Sequence, residues 1–139
     1  MFISKYFLPL LKENPVESSI VSHQLMLRSG MIRQLGSGSY NWLPLGLRVL
    51  RKVEDIVRQE MNQAQALEVL TPTVQPAELW KKSGRYQDGG DLAEETLVAK
   101  DRHGHELIFS PTAEEVITQL FAQNTQSYRE LPKNIYQIS

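Results

Sequence analysis

The amino-acid sequence predicts an α+β fold, an antiparallel sheet flanked by helices, and three features carry that prediction. Apolar residues at Leu45, Val49, Leu50, Val53, Ile56, Val57, Met61 and Ala64 recur at three- and four-residue steps, the period of one helix face. Two glycine-bearing turns, Gly36-Ser37-Gly38-Ser39 and Asp101-Arg102-His103-Gly104, lie between short runs of strand-forming residues, the pattern of hairpins. Pro72 and Pro76 punctuate the middle of the chain, so a strand there ends early and a short helix begins.

In chain order, Pro15 opens and Gly30 closes a helix predicted over 16–29. A hairpin follows, with arms Met31 to Leu35 and Tyr40 to Leu43. The long amphipathic helix from Leu45 to Ala64 comes next, with Pro44 in its first turn. Leu67 to Leu70 reads as a strand ending near Pro72, and Pro76 opens a helix through Trp80. The stretch from Lys81 to Glu95 lacks periodicity and reads as loop. Thr96 to Ala99 and Glu106 to Phe109 form the second hairpin. Helical spacing returns from Pro111 to Gln123, and a last strand runs from Asn134 to Ser139. An unpaired final strand would present an open edge.

Composition narrows the function classes. The 139 residues are 41% hydrophobic and 22% charged, the balance of one ordinary globular domain. Fifteen basic residues against sixteen acidic ones leave a formal charge of -1, so no overall basic field recruits RNA to this stretch. The absence of cysteine excludes disulfides and thiolate metal sites and fits a reducing compartment. The apolar patch from Tyr6 to Leu11 is short and contains Pro9, unlike a signal peptide. No run of about 18 apolar residues occurs, which excludes a helical membrane span. A cytoplasmic location is the expectation.

Two clusters invite a chemical reading. In Thr112-Ala113-Glu114-Glu115, a carboxylate and a hydroxyl could receive an ammonium group, or Thr112 could cap a helix with Glu115 reaching back. Both readings stay open on spacing, and only the first gives Glu114 a role. His103 and His105 form a His-x-His pair around Gly104; no third ligand is evident, so a turn is expected and no metal site.

The order of elements, together with Val21-Ser22-His23-Gln24-Leu25-Met26-Leu27-Arg28, Trp42-Leu43-Pro44-Leu45-Gly46, Val74-Gln75-Pro76, Ser83-Gly84-Arg85 and Pro111-Thr112-Ala113-Glu114-Glu115-Val116-Ile117-Thr118, resembles the bacterial prolyl-tRNA synthetases. The resemblance spans essentially the whole chain. It implies that residues 1–139 are the N-terminal portion of a class II catalytic core. Val49 to Pro72 would be the first class II motif, which builds a homodimer interface, with Pro72 as its marker. Thr112 and Glu114 would bind proline, and Arg85 would stand near the active-site entrance. The pattern departs at Ala113, where the family commonly has His or Asn, and at Asp88-Gly89-Gly90-Asp91, where an aromatic residue commonly precedes the loop glycine.

The same resemblance implies a proline-tRNA ligase that uses ATP and Mg2+ to make prolyl-adenylate and then charges tRNA. The second and third motifs and the anticodon-binding domain would lie beyond Ser139. No catalytic residue is therefore expected within this chain, which is expected to be inactive alone and to bind neither ATP nor Mg2+. The alternative is a non-catalytic interaction module that pairs through the apolar helix face of Val49 to Ala64, a face that could instead pack on its own sheet.

Overall fold

The computed structural model describes residues 2–13, 19–86 and 96–138. The chain divides into two compact units, Met1–Ala64 and Gln65–Ser139. In the first, α1 (Val21–Arg28) leads into a hairpin, β1 (Ile32–Gly36) and β2 (Ser39–Trp42), and then into α2 (Pro44–Gln63). The helix expected over 16–29 is shorter than its apolar spacing implies: Ile20 is extended and serves as N-cap, and residues 16–18 lie outside those described.

Backbone geometry at α1 explains how a helix turns directly into a strand. Gly30 takes φ +68°, and the Met31 N–H bonds back to the Met26 carbonyl at 3.0 Å, closing the helix end with a left-handed residue. Arg33 then sews three segments together. Its guanidinium donates to the carbonyls of Leu27 at 2.7 Å and Ile32 at 2.8 Å, and also to that of Pro9. Leu27 and Ile32 are the buried apolar residues at this junction.

Helix α2 begins where the sequence places it, with Pro44 at its first position. Its start is pressed against the hairpin: the Leu43 N–H meets the Met31 carbonyl at 2.8 Å, and a Cβ on Gly46 would stand only 2.2 Å from that same oxygen. Along the rest of the helix the apolar face stays open. Val49, Val53, Ile56 and Val57 are 42–60% exposed, so this stripe does not pack on the helix's own hairpin.

The second unit holds two small sheets. Strands β4 (Val74–Pro76), β6 (Glu106–Phe109) and β5 (Val98–Lys100) form an antiparallel sheet in that order. Strand β3 (Leu67–Glu68) pairs in parallel with β7 (Ile135–Tyr136), so the final strand has a partner and departs from the antiparallel expectation. The strand expected over 67–70 stops well before Pro72, although the Val69 N–H still reaches the Tyr136 carbonyl at 2.9 Å. The β4 strand was not foreseen in the sequence, because three residues ending in proline show no period.

Helices α3 (Ala77–Ser83) and α4 (Glu114–Asn124) complete this unit. Its core is Ala77, Trp80 and Ile108, with Leu79 and Tyr86 packed against them. Trp80 is wholly buried, and its indole N–H is satisfied by the Gln75 side chain at 3.1 Å, which in turn donates to the Pro72 carbonyl at 3.0 Å. In the β5–β6 turn the Asp101 carboxylate accepts from the backbone N–H groups of His103 and His105, at 2.7 and 2.9 Å. Its other oxygen lies 2.9 Å from the His105 ring, so these histidines belong to a turn organised by Asp101.

Replacing Gly46 by alanine should destabilise the first unit by about 1–3 kcal/mol, the usual range for overpacking against backbone that cannot yield. Gly36→Ala, which meets nothing within 4 Å, should change stability by less than about 0.5 kcal/mol. Denaturant unfolding of the two variants checks the contrast.

Candidate functional site

The Thr-x-Glu segment lies between β6 and α4, where the chain leaves the sheet. The Ser110 N–H is anchored on the Thr73 carbonyl at 2.8 Å, and the Ser110 hydroxyl donates to the Thr112 carbonyl. Helix α4 starts at Glu114, with Ala113 as N-cap and no side-chain cap. The capping box open to Thr112 and Glu115 in the sequence is thus not formed. Both glutamates sit in the first helical turn, where unpaired N–H groups and the helix dipole favour negative charge.

Arg85 reaches this corner from the other helix. Gly84 takes φ +78° after α3, and the Tyr86 N–H returns to the Trp80 carbonyl at 3.2 Å, so the chain reverses and carries Arg85 back over the helix end. The guanidinium stacks 5.0 Å from the Trp80 ring centre. From there Nη1 lies 3.1 Å from the Thr112 hydroxyl oxygen and 3.1 and 3.3 Å from the two Glu115 oxygens. The nearest Glu114 oxygen is 3.5 Å away.

The three residues singled out in the sequence, Thr112, Glu114 and Arg85, therefore converge on one corner. The two glutamates differ sharply: the Glu115 side chain is 6% exposed, whereas that of Glu114 is 69% exposed. Glu115 also accepts from the Ser83 hydroxyl at 3.0 Å, so it is the carboxylate that fastens α4 to the end of α3. Sequence reasoning missed this role. Glu115 shares a helix face with Thr118 and Ala122, which are too weakly apolar to mark that face as the packed one.

Glu114 lines an open groove of about 460 Å³ between α3 and α4, with Leu79, Lys82, Thr118 and Ala122. On the other side of the loop, Thr112 lines a narrow cleft of about 60 Å³ with Pro72 and Gln137. Pro72 thus lies beside the Thr112 loop. The Gln137 carboxamide closes that cleft from the far end of the chain, accepting from the Thr71 N–H at 2.8 Å and from its hydroxyl at 2.7 Å.

A hydrogen bond from Thr112 is the main influence holding the Glu114 carboxyl below its ordinary pKa, helped by its own backbone N–H and by Arg85, and opposed by slight desolvation. The carboxylate is therefore ionised at neutral pH and available to a cation. Among the described residues no group of three or more His, Asp or Glu side chains could hold a metal ion.

The chain is 59% identical over all 139 of its residues to a proline-tRNA ligase of Methylorubrum extorquens, and 61% identical over 135 residues to one of Caulobacter vibrioides. Along its whole length this chain matches proline-tRNA ligases. It spans 31% and 30% of the length of those two ligases. No family model matches it.

The fold of this segment is shared with solved synthetases. Prolyl-tRNA synthetase of Cryptosporidium parvum, in complex with halofuginone and AMPPNP, matches 83% of the chain with a TM-score of 0.71 at 19% identity, over 24% of its own length. A threonyl-tRNA synthetase structure from the same organism matches 78% of the chain, also at a TM-score of 0.71, with 28% identity and 27% of its own length covered. The α+β class is thereby established. No helix among the described residues is long and apolar enough to cross a membrane.

Because Glu114 titrates below its unfolded value, its contribution to stability is present above the ordinary glutamate range and is lost as the pH falls through its folded pKa. Thr112→Val removes the hydroxyl and should move the Glu114 midpoint back upward. Carbon-detected NMR titration of the Glu114 carboxyl checks the direction.

Proposed function

We propose that the protein containing this chain is a proline-tRNA ligase, which joins proline to ATP as prolyl-adenylate and transfers the prolyl group to tRNA. The observation that carries this reading is the 59% identity over the full length of the chain. In this proposal residues 1–139 are the N-terminal part of the catalytic core. Glu114 and Thr112 receive the ring ammonium of proline. Arg85 stands at the edge of that site.

The chemistry suits the residues. Proline's ammonium is secondary and offers two N–H donors, and an ionised carboxylate beside a hydroxyl oxygen offers two acceptors. Charge pairing of this kind selects an amino acid against neutral molecules of the same shape, while ring-sized discrimination requires walls as well. Mg2+ with ATP would supply charge stabilisation at the phosphates. In this proposal the part of residues 1–139 in the chemistry is to hold proline. A cytoplasmic location accords with this role.

The second motif and the residues around the phosphates belong, in this reading, to the remaining two thirds of the enzyme. The full-length protein should catalyse proline-dependent exchange between ATP and pyrophosphate, and Glu114→Ala should reduce kcat/KM for proline at least about 100-fold, as loss of a charged hydrogen-bonded partner does. The 139-residue chain alone should show none. Undiminished exchange by Glu114→Ala would remove Glu114 from the site.

A homodimer built through the first class II motif, Val49 to Pro72, completes the proposal. The open apolar stripe of Val49, Val53, Ile56 and Val57 supports it, since solvent-facing rows of this kind mark association surfaces. The same stripe underlies the alternative of a non-catalytic interaction module, which keeps association but lacks exchange activity in any form of the protein. Val53→Asp with Ile56→Asp should convert the full-length protein from dimer to monomer in sedimentation velocity; an unchanged dimer would assign the interface elsewhere.

A further inference from the structure

Two carboxylates and one guanidinium meet at the start of α4, and only one of the carboxylates is needed to bind an ammonium group. The buried one has the closer hold on Arg85: both Glu115 oxygens lie within 3.3 Å of Nη1, against 3.5 Å for the nearest Glu114 oxygen. Were Glu115 neutral, Arg85 would have Glu114 as its nearest anionic partner and would cancel the charge that a cationic ligand must meet. Lys82 lines the same groove but forms no ion pair with either glutamate among the described residues. The corner therefore carries one net negative charge, located on the exposed carboxylate.

Hydrogen-bond directions add a second constraint. Arg85 donates to the Thr112 hydroxyl oxygen at 3.1 Å, which occupies one of its two lone pairs. The hydroxyl proton must then point elsewhere, and Glu114 is the acceptor it serves. One Thr112 lone pair remains beside the exposed Glu114 carboxylate, and together they offer acceptors for the two N–H groups of a secondary ammonium.

We infer that Glu115 is a positioning residue for amino-acid binding: by engaging Arg85 at shorter range it limits the guanidinium to a longer contact with Glu114 and holds it on the Thr112 hydroxyl oxygen, so that the exposed carboxylate can still meet the ligand's ammonium. Ser83, donating to Glu115 at 3.0 Å, and the Trp80 ring under the guanidinium hold this arrangement in place. The inference rests on the proposed proline site at Thr112 and Glu114. It gives Glu115 and Arg85 separate roles: neither touches proline, and each acts through the other.

Proline-dependent ATP-pyrophosphate exchange by the full-length protein tests it, with KM and kcat read separately and folding checked by thermal unfolding. Glu115→Gln should raise the KM for proline at least tenfold while kcat changes less than threefold. The double variant Glu115→Gln with Arg85→Gln should recover at least half of that loss on a logarithmic scale, because removing the guanidinium frees Glu114 again. Unchanged KM in Glu115→Gln, or no recovery in the double variant, overturns the inference and leaves Glu115 a packing residue. If Glu115→Gln does not fold, Arg85→Lys decides: an ammonium lacks the planar face that stacks on Trp80, so its hold on Glu115 and Thr112 should loosen and KM should rise at least threefold, and an unaltered KM overturns the inference. Full activity in Glu114→Ala would instead sink the proline site itself, an outcome separate from these.

Discussion

Arg85 joins two helices that the backbone leaves unlinked. Its guanidinium rests on the one wholly buried indole of the second unit and reaches both the loop before α4 and the first turn of that helix. A planar cation suits this task where a lysine would not, since stacking and several donors are available at once. The stack in turn depends on Trp80 being fixed, and Trp80 is fixed by Gln75 and by the small core of Ala77 and Ile108. The candidate site thus stands on a core of very few residues, in which each polar atom has a stated partner.

Much of this was legible in the sequence. The long helix announced itself through period and through Pro44, and both hairpins through their glycines, because those signals arise within a few neighbouring residues. Thr112, Glu114 and Arg85 were marked by resemblance, and the fold brings the three side chains to one corner. The partnership of Arg85 with Glu115 was not legible, since it joins positions 30 residues apart whose encounter depends on Gly84 reversing the chain. Strand β4 was hidden for a related reason: Val74 to Pro76 becomes a strand through pairing with β6, whatever its own propensity.

The reading of Thr112 as a helix cap shows how local patterns can mislead. Thr-x-x-Glu is a common N-terminal motif, and here the helix starts one residue later than that pattern needs. The same pattern does form at Ser127 and Glu130, in a short 3-10 turn where one Glu130 oxygen accepts from the Gln126 and Ser127 N–H groups while the other meets Lys133 at 2.8 Å. At Thr112 the hydroxyl oxygen and both Glu115 oxygens face the Arg85 guanidinium instead, so one cation draws both members of the pattern away from the backbone.

The pairing of β3 with β7 has a consequence for the order in which the molecule is assembled. Leu67 meets Ile135, and Thr71 meets Gln137 across 66 positions of chain. By contrast, the first unit and the β5–β6 hairpin find their partners nearby. During synthesis the early elements can therefore settle while β3 waits with its edge uncovered, until nearly the whole segment has left the ribosome. The cleft beside Thr112 is then closed by the last part of the segment to emerge, which makes that pocket a late product of folding and ties its appearance to the arrival of Gln137.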